Sequence, residues 1–129
     1  GIGCAYENRT SAIRIPSSGP KARRIEHRVA GGDVNPYLTV AAVLGAALNG
    51  IEDRAEPPPP IQGNAYEQGL EQLPGSWGAA IDAFETSPEI RRIFPAHLIE
   101  NFVMTKRQEL HYMAELSDDE TVELYLDTV

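Results

Sequence analysis

Charged side chains near the start of the chain are spaced so that they could bind an anion. Arg24, Glu26 and Arg28 are two residues apart, so an extended strand would place all three on one face. Arginine binds phosphate and carboxylate oxygens in a fork geometry, and a carboxylate between two guanidiniums stays charged and could hold a divalent cation. The same spacing is typical of a salt-bridge ladder on a strand surface, and the pattern alone leaves both interpretations open.

Two further arginines precede this run. Arg9 and Arg14 are five residues apart, so they cannot share a face of one regular strand. Arg14 lies in a predicted strand and Arg9 in the turn before it, from which both could converge on one ligand. The residues alone therefore predict an anion site, with or without a metal ion, in a basic N-terminal segment.

The charge distribution also favours a local anion site. Residues 1–30 carry six cations and two acids, a net +4, whereas residues 31–129 carry five cations and 17 acids, a net −12. With a chain total of −8, this pattern argues against broad nucleic-acid binding, which needs many phosphates neutralised at once. No run of apolar residues is long enough for a membrane span, and the single Cys4 is typical of a reducing cytoplasm.

The elements that must position these residues follow an α+β pattern. Within residues 1–30, the runs 12–15 and 23–29 predict a short antiparallel pair of strands. About five helices follow. The first is predicted over residues 33–51, capped by Asn35, and its nearly continuous apolar sequence predicts burial on most sides.

The rest of the chain divides at a proline run. Residues 52–65, with Pro57 to Pro60 at their centre, predict a surface connector between two halves of one domain. Residues 76–129 predict further helices. Ser117 and Glu120 have the spacing of a capping box for the last of them.

Three motifs resemble one known family. They are Asn8-Arg9-Thr10-Ser11-Ala12-Ile13-Arg14-Ile15-Pro16, Lys21-Ala22-Arg23-Arg24-Ile25-Glu26-His27-Arg28 and Asn35-Pro36-Tyr37-Leu38. In order and separation they closely resemble the end of the glutamine synthetase catalytic domain, and a looser likeness continues to the C-terminus. The resemblance implies that residues 1–129 are a C-terminal fragment of that domain, with its fold.

The resemblance also implies a reaction. Members of the family use ATP and Mg²⁺ or Mn²⁺ to phosphorylate the γ-carboxylate of glutamate, and ammonia or an amine then displaces the phosphate. Arg9 would contact the transferring phosphoryl group and lie near glutamate, as a catalytic residue. Arg14 and Lys21 would bind the nucleotide, and Arg24 would support phosphate binding.

Two further roles concern the metal ion and the amino-acid substrate. Glu26 would ligate the metal ion that bridges the ATP phosphates, and Arg28 would hold the substrate glutamate. The family's other metal-binding glutamates are not recognisable here, so we expect the fragment alone to be inactive. The resemblance further implies that the parent protein is a large cytoplasmic homo-oligomeric ring.

Several alternatives stay open at this stage. The chain could be a non-catalytic relative with a structural or assembly role, or an independent nucleotide-binding module. The acceptor could be ammonia, although the motif around Glu26 and the region of Ser76-Trp77 look closer to ligases of polyamines or other amines. Tyr66 falls where some bacterial relatives are adenylylated, but its neighbours lack that motif and an ordinary exposed tyrosine is the simpler interpretation.

Overall fold

Three short strands form one sheet in the computed structural model, which describes residues 1–126. β1 (Cys4–Tyr6) runs parallel to β2 (Ile13–Ile15), and β2 pairs with β3 (Glu26–His27) in the antiparallel sense. The predicted antiparallel pair is thus confirmed, although β3 is shorter than the run 23–29. β1 was not predicted, because three residues are too few to show an alternating pattern.

The sheet belongs to the first of two compact units, which comprises Gly1–Val34 and Arg54–Leu73. A small core lies beside β1, where buried Ala5, Ile61 and Ala65 pack with Leu70. The backbone N–H of Ile61 donates to the carbonyl of Cys4 over 2.9 Å.

The predicted connector therefore has two different parts. Its proline run is exposed, as a surface connector should be. Its end, which contains Ile61 and Ala65, is instead buried in the core of the first unit.

Five α-helices make up the second unit, which comprises Asn35–Asp53 and the described residues from Pro74 onward. They are α1 (Pro36–Glu52), α2 (Trp77–Thr86), α3 (Pro88–Ile93), α4 (Ala96–Met113) and α5 (Asp118–Leu126). The α+β fold class with about five helices is confirmed. Residues 127–129 of the predicted helical region lie outside the described residues. Among the helices of residues 1–126, none has the length and apolar character that a membrane span requires.

Local sequence signals define where these helices begin. The side chain of Asn35 accepts hydrogen bonds from the backbone N–H groups of Tyr37 and Leu38 at 3.0 and 3.1 Å. At α5 the capping box forms in both directions, because Glu120 accepts from the Ser117 N–H at 2.9 Å and donates its own N–H to the Ser117 hydroxyl at 3.4 Å. These side chains satisfy N–H groups that have no partner within the helix.

The core of the second unit consists of buried Ile81, Phe94, Ile99 and Val103. Helices α2 and α4 supply most of it. Trp77 packs against this cluster from the start of α2.

Burial of α1 differs from the prediction. One side of the helix packs on the core through Leu38 and Ala42. The other side is an apolar stripe that remains exposed, and we call it the α1 stripe: Tyr37, Val40, Leu44, Leu48 and Ile51. The prediction of a helix buried on most sides is wrong for the described residues, because they pack against only one of its two apolar sides.

We expect Ile99→Ala to lower the free energy of unfolding of the second unit by about 2–5 kcal/mol, because a side chain that is 2% exposed would leave a cavity. Urea unfolding followed by the fluorescence of Trp77, the chain's sole tryptophan, measures the change. Met104→Ala on the same helix is the matched control, since Met104 is 63% exposed and should change stability by less than about 0.5 kcal/mol. Equal effects of the two substitutions would contradict this core.

Candidate functional site

Arg14 lies at the centre of β2, directly opposite Glu26 on β3. Opposed residues of an antiparallel pair project from the same face of the sheet, so their side chains meet. Nη1 of Arg14 donates to Oε2 of Glu26 over 2.8 Å. The Arg14 side chain is only 14% exposed, so the sheet itself determines the direction of its guanidinium group.

Glu7 binds the other terminal nitrogen of the same guanidinium. It follows β1 directly, and its Oε2 accepts a hydrogen bond from Nη2 of Arg14. Its Oε1 accepts from the backbone N–H of Ser17, just beyond β2. Arg14 is therefore held between two carboxylates, one directly after β1 and the other on β3.

These contacts shift the pKa values of all three groups toward their charged forms. The Ser17 N–H, followed by the hydrogen bond from Arg14, lowers the pKa of Glu7. The hydrogen bond from Arg14 also lowers the pKa of Glu26, and the bonds to Glu26 and Glu7 raise the pKa of Arg14. All three groups are consequently ionised at neutral pH.

A second arginine reaches Glu26 from along the chain. Nη2 of Arg24 donates to Oε1 of Glu26 over 3.2 Å, so the carboxylate lies between two guanidiniums, as the spacing predicted. The guanidinium on the other side of Glu26 belongs to Arg14, however, and not to Arg28. β3 ends at His27, and within residues 1–126 the exposed side chain of Arg28 forms no ion pair. Among the described residues Arg28 therefore does not flank Glu26 as an ion-pair partner, although its backbone N–H donates to the carbonyl of Ala12 over 2.9 Å and continues the pairing of β3 with β2.

Arg9 lies on a turn that is held by hydrogen bonds of its neighbours. Oδ1 of Asn8 accepts from the N–H and the hydroxyl of Thr10 at 2.9 and 2.7 Å, and Nδ2 of Asn8 donates to the carbonyl of Gly63 at 2.6 Å. This turn places Arg9 at the same open cleft as Arg14. The cleft has a volume of about 620 Å³ and is lined by Tyr6, Glu7, Asn8, Arg9, Arg14, Ile61, Gln62 and Gly63.

The six residues singled out from the sequence thus fall into groups. Arg9 and Arg14 line one cleft, and Arg14 joins Glu26 and Arg24 in one ion-pair cluster. Lys21 lies on an exposed 3₁₀ turn (Pro20–Ala22), and neither it nor Arg28 lines this cleft.

Sequence reasoning missed Glu7. Only the parallel pairing of β1 with β2 brings it to Arg14, and β1 shows no sequence pattern from which that pairing could be predicted.

The described residues fit a divalent cation only in part. Such an ion prefers six or more oxygen ligands. Glu26 offers one carboxylate whose two oxygens already accept from arginines, and among residues 1–126 no three His, Cys, Asp or Glu side chains lie close enough together to hold a metal ion. This chain could therefore contribute one ligand, and a complete site needs oxygens from elsewhere.

We expect Glu7 to stabilise the sheet in a pH-dependent way. Folding lowers its pKa below the ordinary value of 4.5, so the stabilisation is present above that value and is lost as the pH falls through the lower folded-state pKa. Glu7→Gln should therefore reduce hydrogen-exchange protection of the Ile13 N–H near neutral pH, and this difference from the wild type should disappear in acid. Exposed Glu56→Gln is the control. A loss of protection that did not change with pH would contradict the ion pair.

Comparisons with known proteins agree with the family resemblance of the three sequence motifs. Residues 2–125 match the family model described as glutamine synthetase, catalytic domain. The glutamine synthetase of Aquifex aeolicus is 37% identical in an alignment that covers 93% of this chain and 28% of the relative. The glutamate–isopropylamine ligase of a Pseudomonas species is 35% identical over 96% of this chain and 28% of its own length.

A third relative, the gamma-glutamylethanolamide synthetase of Streptomyces coelicolor, is 37% identical over 84% of this chain and 23% of its own length. The chain thus spans between 23% and 28% of these three relatives. Since the family model matches it almost from end to end, the chain belongs to the glutamine synthetase family, as part of the catalytic domain.

Proposed function

We propose that this chain is the C-terminal part of the catalytic domain of an ATP-dependent ligase that joins ammonia or an amine to the γ-carboxyl group of glutamate. The observation that carries the proposal is the convergence of Arg9 and Arg14 on one cleft, within one of the three motifs that resemble the family. Phosphoryl transfer depends mainly on positioning and charge neutralisation, and clustered guanidiniums supply both.

The proposed roles follow from what each side chain can reach. Arg14, held and fully charged, would bind phosphate oxygens of ATP, and the exposed Arg9 on the adjacent turn would contact the phosphoryl group as it moves to glutamate. Arg24 would add positive charge beside Glu26, while Lys21 would bind the nucleotide. Each of these side chains would donate charge-assisted hydrogen bonds to phosphate oxygens, and such bonds are stronger than neutral ones.

Glutamate and a metal ion require groups that this chain supplies only in part. The exposed Arg28, without an ion pair in residues 1–126, would be available for the carboxylate of glutamate. Glu26 would contribute one ligand to Mg²⁺ or Mn²⁺, which when bound would neutralise phosphate charge. The other ligands would come from the remainder of a longer protein, and we propose that this protein is a homo-oligomeric ring.

The α1 stripe supports the proposal that the catalytic domain extends beyond this chain. Tyr37, Leu44 and Ile51 are 85%, 60% and 73% exposed, although they form a continuous apolar surface on one helix. Contiguous apolar surface of this kind normally lies against another part of the protein or a partner. The relatives have several hundred further residues, as the coverage of 28% indicates, and we propose that the rest of the domain covers the stripe.

We expect Leu44→Ala to have different effects in the short chain and in a protein that contains the whole domain. In the 129-residue chain the free energy of unfolding should change by less than about 1 kcal/mol, because Leu44 is 60% exposed. In the longer protein the loss should be about 2–5 kcal/mol. Met104→Ala is the control in both, and an equally small effect of Leu44→Ala in both proteins would argue against a covered stripe.

The acceptor amine is the least constrained part of the proposal. Of the three relatives described above, one is named for isopropylamine and one for ethanolamide synthesis, whereas the third is a glutamine synthetase. In that order their identities to this chain are 35%, 37% and 37%, so identity does not rank ammonia above an amine.

We expect the longer protein to release phosphate from ATP only when both glutamate and an acceptor are present. The assay offers ammonia first and then a panel of small amines and polyamines, and the product is identified by mass spectrometry. Glu26→Ala should reduce kcat by at least about 100-fold, because it removes a proposed metal ligand and one of the two anchors of Arg14. Glu56→Gln should have wild-type activity. A well-folded longer protein that is inactive with every acceptor would refute the ligase and favour a non-catalytic relative.

A further inference from the structure

Glu7 has a backbone conformation that glutamate rarely adopts. Its φ is 51°, in the left-handed region where a side chain is crowded by its own backbone. The conformation is held in place because the N–H of Glu7 donates to the carbonyl of Ile15 at 3.1 Å. Glycine or asparagine would adopt this geometry at lower cost, so a glutamate here calls for a reason that lies in its side chain.

The side chain of Glu7 makes two directed contacts at the edge of the cleft. One oxygen accepts from Arg14 and the other from the N–H of Ser17, so the carboxylate is anchored to the backbone while it holds the guanidinium. Glu26 holds the other terminal nitrogen of Arg14. One carboxylate just after β1 and one on β3 thus restrict the rotation of the Arg14 guanidinium.

Electrostatics alone do not explain a carboxylate in this place. Glu7 lines the same cleft as Arg9 and Arg14, and its negative charge by itself would weaken the binding of a phosphate there. Any benefit to binding must therefore come from geometry. An arginine that is already oriented loses less conformational freedom when it binds an anion than one that must be ordered by the ligand.

We propose that Glu7 is a positioning residue, which holds the guanidinium of Arg14 in the orientation that receives the phosphate oxygens of ATP. This inference rests on the proposed function of the cleft. It assigns to Glu7 a role that acts through Arg14, and it explains why a strained glutamate directly precedes the motif Asn8-Arg9-Thr10.

The test uses the longer protein with Glu7→Gln, Glu7→Gly and the control Glu56→Gln. Glycine at position 7 lacks the side chain but suits a φ of 51°. The melting temperature of Glu7→Gly should therefore not fall below that of Glu7→Gln. Both Glu7 variants should nevertheless raise the Kd for ATP, measured calorimetrically without glutamate, by about fivefold or more, and raise KM for ATP more than they change kcat. If Glu7 had only a structural role, the ATP affinity of each variant would follow its melting temperature, and Glu7→Gly would bind ATP at least as tightly as Glu7→Gln. ATP affinity within about twofold of the wild type in both variants would overturn the proposal.

A double-mutant cycle identifies the path of the effect. If Glu7 acts through Arg14, Glu7→Gln should weaken ATP binding much less in an Arg14→Lys background than in the wild type. Equal effects in the two backgrounds would refute the positioning role. The activity of the wild-type protein distinguishes the two proposals. If the wild type is an active ligase and the Glu7 variants bind ATP normally, only the role of Glu7 is refuted. An inactive wild type refutes the proposed function itself.

Discussion

The ion-pair cluster around Arg14 depends on one backbone constraint, the pairing of β2 with a strand on each side. Because β3 is antiparallel to β2, Glu26 faces Arg14 directly. Because β1 is parallel to β2, the chain leaves β1 at the end where Glu7 can reach the same guanidinium. The strands contain only three, three and two residues, so these side-chain contacts and the few ladder hydrogen bonds stabilise one another.

Each of the two units has a small core and leaves apolar side chains exposed. In the first unit, a segment distant in sequence folds back so that Ile61 and Ala65 complete a core beside β1. In the second, α2 and α4 form a core, but α1 has two apolar sides and packs through only one. The exposed apolar side of α1 supports the proposal, independently of any resemblance, that the α1 stripe is covered in a larger protein.

Much of the fold could be predicted because it depends on local chemistry. Asn35 and the Ser117–Glu120 pair define helix starts by capping their own backbone, and the alternation in 12–15 predicts a strand that forms. The elements that escaped prediction depend on distant partners. β1 is recognisable only by its pairing with β2, and the burial of Ile61 depends on Cys4, far away in sequence.

For the candidate site, the sequence by itself determined which charged residues are available and, through three motifs, the family. It also indicated that Glu26 lies between arginines, because residue parity on a strand follows from covalent geometry. The tertiary structure decided which arginines those are, replaced Arg28 by Arg14 as a partner, and added Glu7. The physical reason is that strand register and strand length are set by pairing between segments, and an ion pair forms only where that register brings two charges within a few ångströms.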